Sequence, residues 1–491
     1  MDVKIVPPMI YQDDFVEHAS IGWRIEQAVL DTANPLILPQ YPWEGATPCA
    51  GHGTVLKDPI DGVFKAWVVT VEEEEPLDWM NKPSEGYFER SVVKFPARLA
   101  YYTSEDGVHW DRPLLDNGVT YPGYDKTNLV FPDACGRTTM ATVLIEPDLN
   151  PDEPYEMFVF HESHFIDGKP TTVPGFTTPG MGLFRYRSKN GLSWRPEGEP
   201  INFLADGDGL FIYRSADGTY RMHHKVGMEA FPGGMVPYDC YPGGVRLIWE
   251  RTSADGVNWS EKFPIGVPNW KDHHGDQFID LGYHPYGEGI IAIANIFHTV
   301  SQTFEPRFAA SRDGRKWWRP SDRGCIPLLP LGDIGGGLIW NTRELIEDGD
   351  RVYLYYGATD GLHGDINAKC WNLYTYYGGM CRASWEKGRM WAAVPSTGGP
   401  IEAYLTTPIL NCKNKTLILN AVTLGDGEIT VELLDNEMKP IPRFSCADAV
   451  PFRGDDKLAV FNWKQAGNIC IDEAHIRIYL KRARLYGYAL I

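Results

Sequence analysis

The stretch Ser311–Pro320, SRDGRKWWRP, sets a Ser, an Asp and a Gly close together and follows them with Trp317 and a stiff exit at Pro320. Those residue types suit either a catalytic signature or a turn, and repetition decides between them. Thr103–Trp110 reads TSEDGVHW, Arg187–Trp194 reads RSKNGLSW and Thr252–Trp259 reads TSADGVNW, each with the same Ser-to-Trp spacing and Asp-Gly or Asn-Gly in between. A worn fifth copy sits in RASWEKGRMW, Arg382–Trp391. Asp-Gly or Asn-Gly between apolar runs signals a hairpin, because the turn needs positive φ. Each full copy follows a strand-like run (RLAYYT, GLFRYR, VRLIWERT, RFAAS), so it is read as the hairpin between the third and fourth strands of a four-stranded unit. The Trp then packs the start of the fourth strand.

A second hairpin recurs upstream in every unit. Its turns are KDPIDGVF (Lys57–Phe64), EPDLNPDEPY (Glu146–Tyr155), RSADGTY (Arg214–Tyr220), YHPYGEGI (Tyr283–Ile290) and IEDGDRVY (Ile346–Tyr353). Two sets of turns count five blades and predict an all-β, five-bladed β-propeller. The propeller domain is expected over residues 1–399, with a lead-in over 1–40. From 400 to 491 the pattern changes. TLILNAV, GEITVELLD, KLAVFNW and HIRIYLKRARLYGYAL alternate apolar and polar positions without the blade signature, which predicts a small β-sandwich.

Composition agrees with this class. A chain of 491 residues with 43% apolar and 13% aromatic residues can bury a large interior, and 50 Gly with 37 Pro favour short strands and tight turns. The net charge of −19 offers no basic stripe to neutralise phosphates, which argues against a nucleic-acid partner. No apolar run is long enough for a membrane helix. The start MDVKIVPPMIYQDD lacks the regions of a signal peptide, and the nine Cys form no CxxC pair, so a cytoplasmic, reduced protein is expected.

With S-x-D-G-x-x-W blades followed by a small sandwich, the chain resembles the five-bladed propeller glycosidases of glycoside hydrolase families 32 and 43 and their bacterial relatives. The resemblance is architectural and covers nearly the whole chain. It implies the fold and a carbohydrate substrate. The WMNDPNG-like, RDP and EC segments of family 32 have no counterpart; WMNKP at Trp79–Pro83 shares only its opening with the first. No catalytic residue is therefore carried over.

Propeller topology sorts the loops by face. Hairpins joining strands one to two and three to four lie at one end, and here they are the short repeated turns. The other end carries long loops, Val71–Pro96, His161–Gly182, Val226–Gly244 and Asp360–Gly379, and long polar loops are where function concentrates. Candidate site residues are those that start each inner strand or end each second strand. The first set holds His52, Arg137, Asp206, Asp208, His273, His274, Asp276 and Trp340; the second holds His161, His164, His223, His224, Lys225, His298 and His363. Most of the chain's histidines fall in these two sets.

Glycoside hydrolysis needs two carboxyl groups flanking the scissile bond. Asp206 or Asp208 and Asp276 come from adjacent inner strands and are the expected pair, with His52 and His224 tuning them. Arg137, His161, His164, His223, Lys225, His273, His274, His298 and His363 are expected to bind hydroxyls or an acidic sugar, and Trp340 to stack on a sugar face. No cofactor is expected on this reading. The histidines also open an alternative, a divalent-metal site serving carbohydrate lyase or deacetylase chemistry. A third reading is a non-catalytic sugar-binding propeller.

Overall fold

The computed structural model describes residues 6–45, 47–71, 97–132, 135, 137–162, 165–166, 169–170, 172–177, 182–201, 210–229, 244–266, 271–273, 275–363, 377–396, 402–465 and 469–491. The chain is a five-bladed propeller joined to a C-terminal sheet. Blade one runs Thr47–Lys57, Phe64–Val71 and Ala97–Ser104 from the axis outward. Blade two runs Arg137–Ile145, Tyr155–Glu162, Gly182–Ser188 and Arg195–Pro196. Blade three runs Leu210–Arg214, Tyr220–Glu229, Gly244–Ser253 and Phe263–Gly266. Blade four is built on Asp276–Leu281, Gly289–His298 and Thr303–Ser311, with Trp318 bridging to Ala310 at its edge. Blade five is built on Leu338–Asn341, Arg351–Thr359 and Gly378–Glu386.

The ring closes with a strand from the other end of the chain. Val29–Leu30 pairs with Ala383 and Ser384, so the lead-in supplies the outer edge of blade five. The fifth box copy therefore does not make a blade hairpin. Its Trp391 opens the strand Trp391–Pro395, which pairs with Ile21–Ile25 and leaves the propeller for the C-terminal sheet. That sheet has eight antiparallel strands and draws Glu17–Ala19, Ile21–Ile25 and Trp391–Pro395 into the same ladder as Ala403–Thr406 and the two longest strands, Leu417–Leu434 and Glu473–Leu490. Its core includes Leu417, Leu419, Ile429, Val431, Phe461, Trp463, Ile476 and Ile478. The shared ladder ties the two parts together through hydrogen bonds as well as packing.

The four full boxes are turns, as their repetition predicts. In each, the Ser Oγ accepts from the Gly N–H, at 2.8 Å for Ser104 and 2.9 Å for Ser188, Ser253 and Ser311. The Asp or Asn Oδ1 accepts from the next backbone N–H groups, at 2.8 Å for both Val108 and His109. The Gly sits at φ near +73°, a left-handed value that a side chain resists, as at Gly191 and Gly314. Lack of a Cβ also lets the turn lie on the preceding blade. A Cβ on Gly191 would stand 2.9 Å from Trp67 Cζ2, and Trp67 Nε1 donates to Gly191 O at 2.9 Å. Tyr355 Oη of blade five donates likewise to Gly107 O of blade one at 2.8 Å, which fastens the ring where it closes.

At the same end a single side chain closes the axis. Arg343 follows the inner strand of blade five and donates to Ile212 O of blade three at 2.6 Å and to Val143 O of blade two at 3.2 Å. Its own carbonyl accepts from Tyr283 N of blade four at 3.2 Å. Thr54 and Thr142 add bonds between neighbouring inner strands, to Ala141 O and from Ile212 N. The channel thus has a floor at the end marked by the boxes.

Candidate functional site

The opposite end is organised around the inner strand of blade four, Asp276–Leu281, whose six residues are all buried. Asp276 starts the strand and pairs with His298, the last residue of the second strand. Cross-strand partners point to one side of a sheet, and the alternation carries Glu305 and Arg307 of the third strand to that same side. The four side chains join there. His298 Nδ1 lies 2.7 Å from Asp276 Oδ1, and its Nε2 lies 3.2 Å from Glu305 Oε2. Arg307 donates to Glu305 Oε2 at 2.9 Å and stands 3.5 Å from Asp276 Oδ2. Behind them Arg319 holds Asp272 through two bonds, at 2.5 and 2.7 Å.

This network faces a pocket of about 370 Å³ lined by Lys271, His273, Asp276, His298, Arg307 and Asp322, with Thr299–Ser301 at its rim. Burial alone would push the His298 imidazole down. Its hydrogen bonds to Asp276 and Glu305 outweigh that and hold it up at about 9. Burial likewise pushes Glu305 up, but the bonds from His298, Arg307 and Gly324 N bring it down to about 2. At neutral pH the pocket wall therefore presents an imidazolium and a guanidinium beside a buried aspartate. Such a wall binds oxygen-rich polar ligands and stabilises negative charge that develops beside it.

A bulge separates the two carboxyls of this strand. Between Phe278 and Asp280 the pairing slips by one residue, so Asp280 partners Asn295 and turns to the side opposite Asp276. The inner strands of blades one and two slip as well, between Cys49 and Thr54 and between Thr139 and Thr142. In blade two the slip places Met140 at φ 53°, a left-handed value unusual outside glycine. On the Asp280 side, Phe297, Phe304, Trp340 and His363 form an aromatic cluster, with Trp340 4.8 Å from Phe304 and His363 stacked on Phe304 at 5.1 Å. Arg246 of blade three reaches this side too, 3.3 Å from Gln277 Oε1 and over the Phe297 ring at 5.7 Å.

The expected site residues divide into three groups. Asp276 and His298 meet directly, His273 lines the same pocket and accepts from Gly275 N at 3.0 Å, and Trp340 and His363 share the aromatic cluster. Lys225 belongs near Asp280, on which its charge acts. A second group lies in blade interiors. His161 is fully buried between Thr138 Oγ1 and Tyr186 Oη, each at 3.0 Å, and burial pushes its imidazole down to about 3. His223 is 1% exposed and engaged by Tyr213 Oη at 2.7 Å, Glu250 Oε2 at 3.1 Å and Leu281 O at 3.0 Å. Neither has an open edge for a sugar, because both rings turn into the seams between sheets: His161 lies one residue from the end of its strand, whereas His223 lies inside Tyr220–Glu229, next to Trp317 of the fourth box. His224, also buried, sits beside His223 on the second strand of blade three. A third group cannot be placed. Asp206, Asp208, His164 and His274 lie outside the described residues, and His52 and Arg137 are described only as strand backbone.

Glu305, Arg307 and Asp280 had no place among the expected residues. The first two were legible, since Phe304, Glu305, Pro306, Arg307 and Phe308 alternate in a strand whose polar side must face something. Asp280 was not, because its orientation depends on the bulge. Among the described residues, no three His, Cys, Asp or Glu side chains group as metal ligands.

No family model matches the chain, and no curated protein matches it. Solved structures do. A β-1,2-mannobiose phosphorylase from Listeria innocua, solved with β-1,2-mannobiose, aligns over 74% of this chain and 98% of its own at 14% identity, with a TM-score of 0.50. A glycosyl hydrolase from Bacteroides ovatus aligns over 79% of this chain and 98% of its own at 14% identity, with a TM-score of 0.44. At such identities the likeness is one of fold.

Proposed function

We propose that the chain is an enzyme that cleaves a glycosidic bond of a carbohydrate bound at the open end of the propeller. The observation that carries this reading is Asp276, a buried carboxylate on a pocket wall, fixed by His298 and Arg307. A carboxyl so placed beside the pocket suits a base, a nucleophile or a stabiliser of an oxocarbenium-like transition state. The second carboxyl is assigned to Asp206 or Asp208, which precede Leu210, the first residue of the neighbouring inner strand. The fold shared with the Listeria phosphorylase supports the substrate class.

The test is turnover of a panel of aryl glycosides and β-linked disaccharides by the wild type and by Asp276→Asn. The variant should lose about 10³-fold in kcat, within the range a general acid or base supplies. Full retention of turnover in Asp276→Asn removes this residue from the chemistry.

A second acceptor is favoured by the cationic lining. Lys271, the protonated His298 and Arg307 stand around one pocket with Asp276 and Asp322, and the three cations suit an inorganic phosphate as well as water. Assays with and without phosphate separate the two. A sugar 1-phosphate formed only with phosphate marks phosphorolysis, and a free reducing sugar in both conditions marks hydrolysis.

A further inference from the structure

Asp280 is 6% exposed and one residue from the end of its strand, close to the Arg343 floor. Asn341 Nδ2 of blade five donates to its Oδ1 at 3.2 Å. Asn295, its cross-strand partner and wholly buried, bonds the carboxyl through its side chain, which leaves its Oδ1 without a partner. Asn341 is equally buried, and its Oδ1 lacks one too. Two unpartnered amide oxygens beside one buried carboxyl are unusual, because each has given up its bonds to water for nothing in return. In a polar recess the ordinary remedy is a trapped water, which takes about three hydrogen bonds from such groups.

We propose that Asp280, Asn295 and Asn341 build an internal water site in the seam between blades four and five, with the Asp280 carboxyl in its neutral form donating to the bound water. The surroundings favour the neutral acid. Burial pushes the carboxyl up to about 7, against the opposing pull of Asn341, Asn295 and Lys225. Lys225 faces it from blade three, Asn295 from its own blade and Asn341 from blade five. The nearby Arg343 directs its guanidinium to Ile212 O, Val143 O and Glu344. The site is independent of the proposed reaction and holds whether or not the pocket cleaves sugars.

Two measurements test it. A crystal structure of the full chain, fine enough to place internal solvent, should show a water bonded to Asp280 and to both amides. Both amide oxygens bonded to protein donors with no water between them, or a cation with six or more short oxygen contacts, overturns the proposal. The second measurement compares Asp280→Asn with wild type across pH. A carboxyl raised from 3.8 to about 7 gives stability that is full below the unfolded value and falls as pH rises through the folded one. The amide variant lacks that fall, so its Tm relative to wild type should climb between about pH 4 and pH 8. A gap that stays constant with pH overturns the neutral acid.

Discussion

The two ends of this propeller use the same chemistry to opposite effect. At the end marked by the boxes, charges are matched across blade boundaries and closed off. Lys65 pairs with Asp58 while Tyr155 of the next blade donates to that same carboxylate at 2.6 Å. One blade on, Arg185 pairs with Glu156, which accepts from Tyr220 of blade three at 2.8 Å. Then Arg221 bonds Glu250 at 2.8 Å beside His223. At the other end, Asp276, His298, Glu305 and Arg307 form a comparable chain, but one flank of it faces a pocket. Charge networks alone therefore do not locate a site in this molecule. The difference lies in which network keeps an open side.

The comparison breaks most readily at Arg185. Its guanidinium stacks over Phe158 and neutralises the buried Glu156, and Arg187 at 3.2 Å is left to compensate after its loss. Arg185→Met should cost about 3 kcal/mol in urea unfolding, because it strands part of a buried charge. Turnover per folded molecule should be unchanged. Asp276→Asn should show the reverse, losing turnover and far less stability. A folded Arg185→Met protein without activity would mean that the closed end also serves the chemistry.

Legibility followed the same division. Turn chemistry repeats, so the boxes and upstream hairpins carry the blade count and the ring in the sequence itself. What repeats least was least legible. Val29–Leu30 carries no sign that it closes blade five, since a two-residue edge strand has no periodicity. RASWEKGRMW kept the letters of a box while its Trp391 had passed to another sheet. At the open end, residue type and strand position pointed to His161 and His298 alike. Only the direction of each ring, set by alternation, separates a packed imidazole from one on a pocket wall. Asp280 shows the limit most clearly, because one extra residue in the strand reverses the side on which every later side chain emerges.

Those two histidines sharpen the comparison through pH. His298, raised to about 9, contributes stability that is fully present below its unfolded value of 6.5 and is lost as pH rises through 9. The Tm of wild type should therefore decline across that window, and His298→Gln should flatten the decline. His161, lowered to about 3 by burial, has its window at acid pH, where the unfolded chain gains a proton that the folded state refuses. Replacing His161 with Gln should leave the alkaline limb as it is. An alkaline decline that survives intact in His298→Gln would detach His298 from Asp276 and Glu305.

The smallest effect tests whether the boxes are interchangeable. Each box Ser is buried and bonds the Gly that follows it, so Ser104→Ala, Ser188→Ala, Ser253→Ala and Ser311→Ala should each cost about 1 kcal/mol, the worth of one hydrogen bond. Turnover should be indifferent to all four. The boxes of blades two and three take a donor from the blade before them, Trp67 and Arg185, but the blade-one box takes Tyr355 across the closure of the ring. If that contact makes the seam cooperative, Ser104→Ala should cost more than the other three, and the excess should vanish in a Tyr355→Phe background. Equal costs in both backgrounds would show that ring closure rests on the Val29–Leu30 edge instead.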